Sequence, residues 1–198
     1  MLGEMVSTWL RYADMSYIAT RLLWFTDVTL DSAVYSHRTI ELYVKAFLVS
    51  RGVQVKPRSA GWGHNLVALG QTAAKYDAGF SSEPVSRRLK VFERYFDDVR
   101  YPGSSAVSDD GGLIWLAFDA TIAPLDEFVA FVRPRICLEP EDWRRSTLHA
   151  LLRSDIDRGS PLRALTDANV HLAIIDCLSS RASVVEFAAS FNYDRRGC

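Results

Sequence analysis

The chain has 198 residues, enough at about 150 per domain for one full domain with a remainder. Its 48% apolar and 24% charged residues match an ordinary globular protein, which at this length buries about 70% of its unfolded surface, so disordered, collagenous and disulfide-scaffold classes are excluded. Lys and Arg number 23 against 24 Asp and Glu, a formal net charge of -1, so no chain-wide basic field draws in nucleic acid and any RNA contact needs a local patch.

The basic residues are 19 Arg and 4 Lys, a bias that suits planar recognition of carboxylate or phosphate and equally follows from a GC-rich genome. Cys137, Cys177 and Cys198 form no Cys-x-x-Cys or Cys/His cluster, and their odd number fits free thiols in a reducing compartment. No zinc or other metal and no cofactor is expected. Glu4, Arg11 and Asp14 interrupt the start, which argues against a signal peptide. The longest wholly apolar run is Leu113 to Phe118, far short of the roughly 20 residues that span a bilayer. A soluble, cytoplasmic protein without membrane contact is the expectation.

Apolar spacing is helical nearly everywhere, and no run of strict alternation bounded by turn residues argues for a sheet, so the fold is read as all-α. From about Glu4 to Phe25, Val6, Leu10, Ala13 and Tyr17 make one stripe. Asp31 is placed to cap a second helix running to Arg51 through Ile40, Tyr43, Val44, Phe47 and Leu48, with Gly52 ending it. Residues 53–63 carry Pro57, Gly61 and Gly63 and read as a loop, after which Leu66, Leu69 and Ala73 mark a short third helix. Ser82 or Glu83 followed by Pro84 starts a fourth, with Val85, Leu89, Phe92, Phe96 and Val99 as its stripe up to Tyr101-Pro102. Leu113 to Val132 is apolar on more than one side, which predicts a central and most buried helix kinked at Pro124. Beyond Pro134 the breakers Pro140, Gly159 and Pro161 leave short pieces, among them a stripe of Val170, Ile174 and Cys177 and a capping box at Ser183 to Glu186. The compact core is expected to end there. The domain reading is a bundle over residues 1–135 and a C-terminal helical extension over 136–198 on the same core.

Helix two contains Glu41-x-x-x-Lys45-Ala46 and is followed by Arg51-Gly52, by Gly63-His64-Asn65-Leu66 opening helix three, and by Arg100-Tyr101-Pro102 closing helix four. In that order and spacing, over about residues 5–133, the chain resembles the HEPN domain family. The resemblance implies a bundle of four to five helices, commonly paired into a homodimer, found in prokaryotic toxin and antiphage systems and beside minimal nucleotidyltransferases. Many members cleave RNA, and the catalytic ones carry Arg-x(4–6)-His, with His and Arg of two protomers lining one cleft. The chemistry is coherent: a neutral His takes a 2′-hydroxyl proton or protonates the leaving oxygen, and Arg stabilises charge developing on phosphate, with no metal required.

Two pairs satisfy that spacing, Arg58/His64 and Arg144/His149, but chance alone supplies roughly one match at this composition. Arg144 and His149 lie about 140° apart on a helix, whereas Arg145 and His149, at i and i+4, share a face. The alternative for that helix is a packing face with Trp143, Leu148, Leu151 and Leu152. His64 stands where its side chain would cap or orient the loop before helix three. His37 recurs with Ile40 and Val44, as a hydrogen-bonded core or dimer-interface histidine. Glu41 and Lys45 form an i, i+4 helix pair, and a sharper reading joins Arg38 to them in a polar seam at the dimer interface. Arg94, Arg100 and Tyr101 form a candidate RNA-contacting patch, weakened by Asp97, Asp98, Asp109 and Asp110. Two functions follow: an RNA- or nucleotide-associated toxin or defence protein acting as an RNase, or a non-catalytic scaffold docking a nucleotidyltransferase or antitoxin. A small-ligand pocket between helices ranks third.

Overall fold

The computed structural model describes residues 2–54, 63–100, 117–144, 146–152, 164–166 and 168–175. Helices α1 (Leu2–Phe25) and α2 (Thr29–Ser50) form a hairpin, followed by α3 (Leu66–Ala73), a 3-10 turn (Ala78–Ser81), α4 (Glu83–Arg100) and α5 (Phe118–Val132). A 3-10 turn (Arg133–Arg135) then leads to short helices α6 (Pro140–Arg144), α7 (Thr147–Leu152) and α8 (Leu172–Ile175). No strand occurs among the described residues, and the fold is an all-helical bundle. No helix there is long and apolar enough to cross a membrane.

Both ends of the hairpin close by left-handed residues. Asp27, at φ 61°, follows α1 and lets the Val28 N–H donate to the Leu23 carbonyl at 2.9 Å, a conformation that Asp tolerates better than branched residues. Gly52, at φ 76°, does the same after α2, where the Val53 N–H donates to Leu48 at 3.0 Å. Between the helices lies a seam of small hydroxyls: the Ser32 hydroxyl donates to the Thr20 carbonyl at 2.9 Å and Thr39 Oγ1 to Ser16 Oγ at 3.1 Å. Such side chains let two backbones approach while leaving few polar groups unpaired.

The expected stripe of Val6, Leu10, Ala13 and Tyr17 is buried, as are Ile40, Tyr43, Val44, Phe47 and Leu48 of α2. Three boundaries differ from expectation. Asp31 does not cap α2; the helix starts at Thr29 after Val28, which makes no side-chain cap, and Asp31 sits in the first turn, where its charge meets the free N–H groups. Residues 113–116, taken as the start of the apolar helix, lie outside the described residues, and α5 runs from Phe118 with Pro124 inside it. Val170 stands 85% exposed before α8, while Cys177 and the side chain of Ile174, expected to share its stripe, lie outside the described residues.

The hub of the bundle is α2, not α5: α2 packs on α1, α3, α4 and α5. Nor does the core stop at Pro134, because Ile136, Trp143, Leu148, Leu151, Leu165 and Ile175 belong to the same buried cluster. Two buried ion pairs hold these late segments. Asp14 on α1 accepts from Arg133 Nε at 3.2 Å, from the Tyr43 hydroxyl at 2.7 Å and from the Leu148 N–H at 3.1 Å, and Arg133 also donates to Ser146 Oγ at 2.9 Å and to the Ile175 carbonyl. Arg21 pairs with Asp126 and donates through Nε to the Ala164 carbonyl at 2.5 Å, while Asp126 accepts from the Tyr17 hydroxyl at 2.7 Å. Burial drives Asp126 above the usual carboxylate range despite Arg21. The expectation of three free thiols fails at Cys137, which is disulfide-bonded, so the cysteines no longer argue for a reducing compartment.

Candidate functional site

Polar residues at i, i+4 and i+8 on a helix share one face, and on α2 these are His37, Glu41 and Lys45. That face turns inward, toward the start of α3 and toward α4. There each of the three residues meets the Gly63–His64 turn. Glu41 Oε2 lies 2.9 Å from His64 Nδ1, Glu41 Oε1 is paired with Lys45 Nζ, and Lys45 Nζ donates to the Gly63 carbonyl at 3.4 Å. His37 interacts with the His64 backbone. Lys45 also lies 5.8 Å from the Trp9 ring of α1.

The electrostatics follow from this packing. Burial alone would raise the Glu41 pKa, but its hydrogen bonds and charge contacts with Lys45 and His64 outweigh burial and hold it below the usual range. Glu41 is therefore an ionised acceptor, and an acceptor-only carboxylate requires the His64 ring to donate from Nδ1. The second ring nitrogen, Nε2, then belongs to a side chain 69% exposed. A histidine oriented by a buried carboxylate, with its other nitrogen toward solvent, can take or give a proton. His37 is a different histidine. It is 1% exposed, its ring stacks on Phe96 at 4.1 Å, and its Nε2 has no hydrogen-bond partner. Burial lowers its pKa to about 4, against the opposing pull of Glu41 and the His64 backbone, so it is neutral near pH 7.

The remaining candidates are dispersed. Arg38 is exposed on α2 and makes no ion pair with Glu41 among the described residues. Asn65, not His64, caps α3, accepting from the Ala68 N–H at 2.6 Å, while the His64 side chain tethers the turn to α2. His149 is half-buried on α7, where its backbone N–H donates to Ser146 Oγ at 3.2 Å. Arg58, Arg145 and Tyr101 lie outside the described residues, as do the side chains of Arg144 and Arg100, so neither Arg/His pairing has a described geometry. Arg94 is exposed on α4.

Sequence reasoning missed Phe96 as the ring under His37 and Glu41 as the partner of His64. The signal for the second was present, since three polar residues at four-residue steps in a mostly apolar helix ask for a partner. Among the described residues no group of three or more His, Cys, Asp or Glu is placed to hold a metal ion. A separate cavity of about 520 Å³ lies between the start of α1, the end of α2 and α6, lined by Val6, Ser50, Ile136, Leu138, Asp142 and Trp143 among others.

No curated protein and no solved structure matches the chain. A model of the HEPN domain matches residues 6–111, a little over half of it, and takes in α1 to α4 with the whole Lys45–Glu41–His64 arrangement. On that match the chain belongs to the HEPN domain family.

Proposed function

We propose that this HEPN protein acts on RNA or a nucleotide within a prokaryotic toxin or defence system, as a homodimer, with His64 as the acid–base group of metal-independent RNA cleavage. The observation that carries this reading is the buried Glu41 carboxylate, fixed by Lys45, holding the Nδ1 of an otherwise exposed imidazole. In the reaction His64 Nε2 takes the proton of a ribose 2′-hydroxyl, the 2′-oxygen attacks the adjacent phosphorus, and the bond from phosphorus to the 5′-oxygen breaks. The products are a 2′,3′-cyclic phosphate and a 5′-hydroxyl, whose proton comes from solvent or a second acid. Arg58, six positions before His64, is the arginine that the family spacing assigns to the phosphate.

A non-catalytic scaffold that docks a nucleotidyltransferase or antitoxin is the second reading. It is favoured by the charge of -1 and by apolar side chains exposed on α1. Cleavage of a mixed single-stranded and structured RNA pool in EDTA separates the two. The first reading requires activity that is lost in His64→Ala and kept in His149→Ala. Loss only in His149→Ala moves the chemistry to α7, and an inactive wild type leaves the scaffold.

A further inference from the structure

The cavity between the start of α1, the end of α2 and α6 has a chemistry that the Glu41–His64 arrangement does not share. Its volume, about 520 Å³, falls within the roughly 300–1,000 Å³ of small-molecule sites. Val6, Ile136, Leu138 and Trp143 make its walls. All four belong to the hydrophobic core or pack against it, so the space is formed before any ligand arrives. Trp143 is further fixed by the Arg133 guanidinium, 4.8 Å from the ring centroid and itself paired with Asp14.

Three polar side chains complete the lining, Ser50, Glu139 and Asp142, and each offers acceptors. The Ser50 hydroxyl donates its one proton to the Phe47 carbonyl at 2.7 Å and keeps only lone pairs. Glu139 and Asp142 form no ion pair or side-chain hydrogen bond among the described residues. The arginines nearest to them in the fold are engaged elsewhere: Arg51 reaches the Arg135 carbonyl at 3.4 Å, Arg133 pairs with Asp14, and Arg135 pairs with Asp77 at 3.1 Å. No Lys, Arg or His lines the cavity among the described residues. Gly3 leaves room beside the acids, since a Cβ there would stand 3.7 Å from Asp142 Oδ2.

We propose that this cavity binds a small organic cation, its ammonium or guanidinium group held by Asp142 and Glu139 and its apolar body by Leu138, Ile136 and Trp143. A donor-rich head meets acceptors in charge-assisted hydrogen bonds, while the body leaves water against preformed apolar walls. Neither half suffices alone, because carboxylates open to solvent hold a cation weakly. The same acceptors repel phosphate, so the ligand differs in class from the RNA or nucleotide assigned to His64. None of these residues belongs to the His64 arrangement, and the two readings stand or fall separately.

Calorimetric titration of the full-length chain at fixed ionic strength tests the site, with tryptamine and hexylamine as cations and tryptophol and hexanol as their neutral counterparts. At least one amine is expected to saturate one site per chain and to bind about tenfold or more tighter than its alcohol. Asp142→Asn combined with Glu139→Gln should bring that amine down to the affinity of the alcohol and leave the alcohol unchanged. Gly3→Leu keeps both acids but narrows the cavity, and should weaken amine and alcohol alike with an unchanged helical circular dichroism spectrum. Failure of both amines to saturate in the millimolar range overturns the proposal, as does equal affinity for each amine and its alcohol. Amine binding indifferent to the double variant removes the acids from the site, and binding indifferent to Gly3→Leu places the cation outside the cavity; either result also overturns it.

Discussion

The Nδ1 of His64, on the turn before α3, lies 2.9 Å from Oε2 of Glu41 in the middle of α2, although 23 positions separate them in the chain. The contact joins an exposed imidazole to a carboxylate whose other oxygen belongs to Lys45. On the proposed reading Glu41 acts through His64, as a positioning residue. Glu41→Gln keeps the volume but removes the charge that selects the Nδ1–H form, so RNA cleavage should fall about 10- to 100-fold in kcat with little change in KM. The pH profile of the remaining activity should shift as well, which loss of a merely structural contact would not cause. Unchanged cleavage and an unchanged profile would remove His64 from the chemistry.

His37 makes stability depend on pH. Its imidazole is held neutral down to about 4, whereas the unfolded residue takes up a proton below its ordinary 6.5. Between those values the unfolded state binds more protons, so the contribution is complete above 6.5 and is lost as pH falls toward 4, by about 3 kcal/mol over the whole window. His37→Phe keeps a ring against Phe96 without a titrating nitrogen. Urea unfolding at several pH values from 7 to 4.5 should show a wild-type decline that the variant lacks in part, the remainder coming from groups common to both proteins such as His171, whose pKa burial also lowers. Parallel slopes for the two proteins would mean that His37 is not held neutral.

The Asp14–Arg133 pair anchors the late segments. Asp14→Ala leaves a guanidinium buried at 1% exposure without its carboxylate and takes the acceptor from Tyr43 and from the Leu148 N–H. A loss of about 3–5 kcal/mol is expected in urea unfolding, with faster limited proteolysis after Pro134. Asp14→Leu combined with Arg133→Met should recover part of that loss, since the double change also removes the desolvation cost. A double variant no better than Asp14→Ala would count against charge as the cause.

Asn65→Ala should cost about 1 kcal/mol by exposing the Ala68 N–H at the start of α3, and Asn65→Asp should cost less because an oxygen acceptor remains. Thermal unfolding would register the first as a fall in Tm of about 2–4 °C for a chain of this size. His64→Ala, measured alongside, separates the cap from the tether: with Asn65 intact it should leave α3 helical while freeing the Gly63–His64 turn from Glu41.

Periodicity carried the helices. Val6, Leu10, Ala13 and Tyr17 mark the inward face of α1 because a 3.6-residue repeat writes burial directly into local order, and Gly52 marks the end of α2 because only a residue free to adopt positive φ turns the chain there without strain. The E-x-x-x-K-A pattern and the His-Asn-Leu start were legible for the same reason, being short and local. Other features have no local trace. Asp14 meets Arg133 across 119 positions and Arg21 meets Asp126 across 105, and in the sequence each is one more polar residue on an amphipathic helix. Arg38 and His37 are neighbours, yet one is exposed and the other buried under Phe96, because the 100° step between successive helical residues assigns them to different surroundings.

By itself, then, the sequence determined that the chain is helical, where α1 to α4 begin and end to within a few residues, and which family it joins, since all three rest on local spacing. Tertiary structure alone decided that α2 is the hub, that the core runs on to Ile175 and that Glu41 holds His64. The physical reason is that burial and pairing between distant segments depend on which surfaces meet, and a local repeat marks an inward face without naming the surface that will cover it.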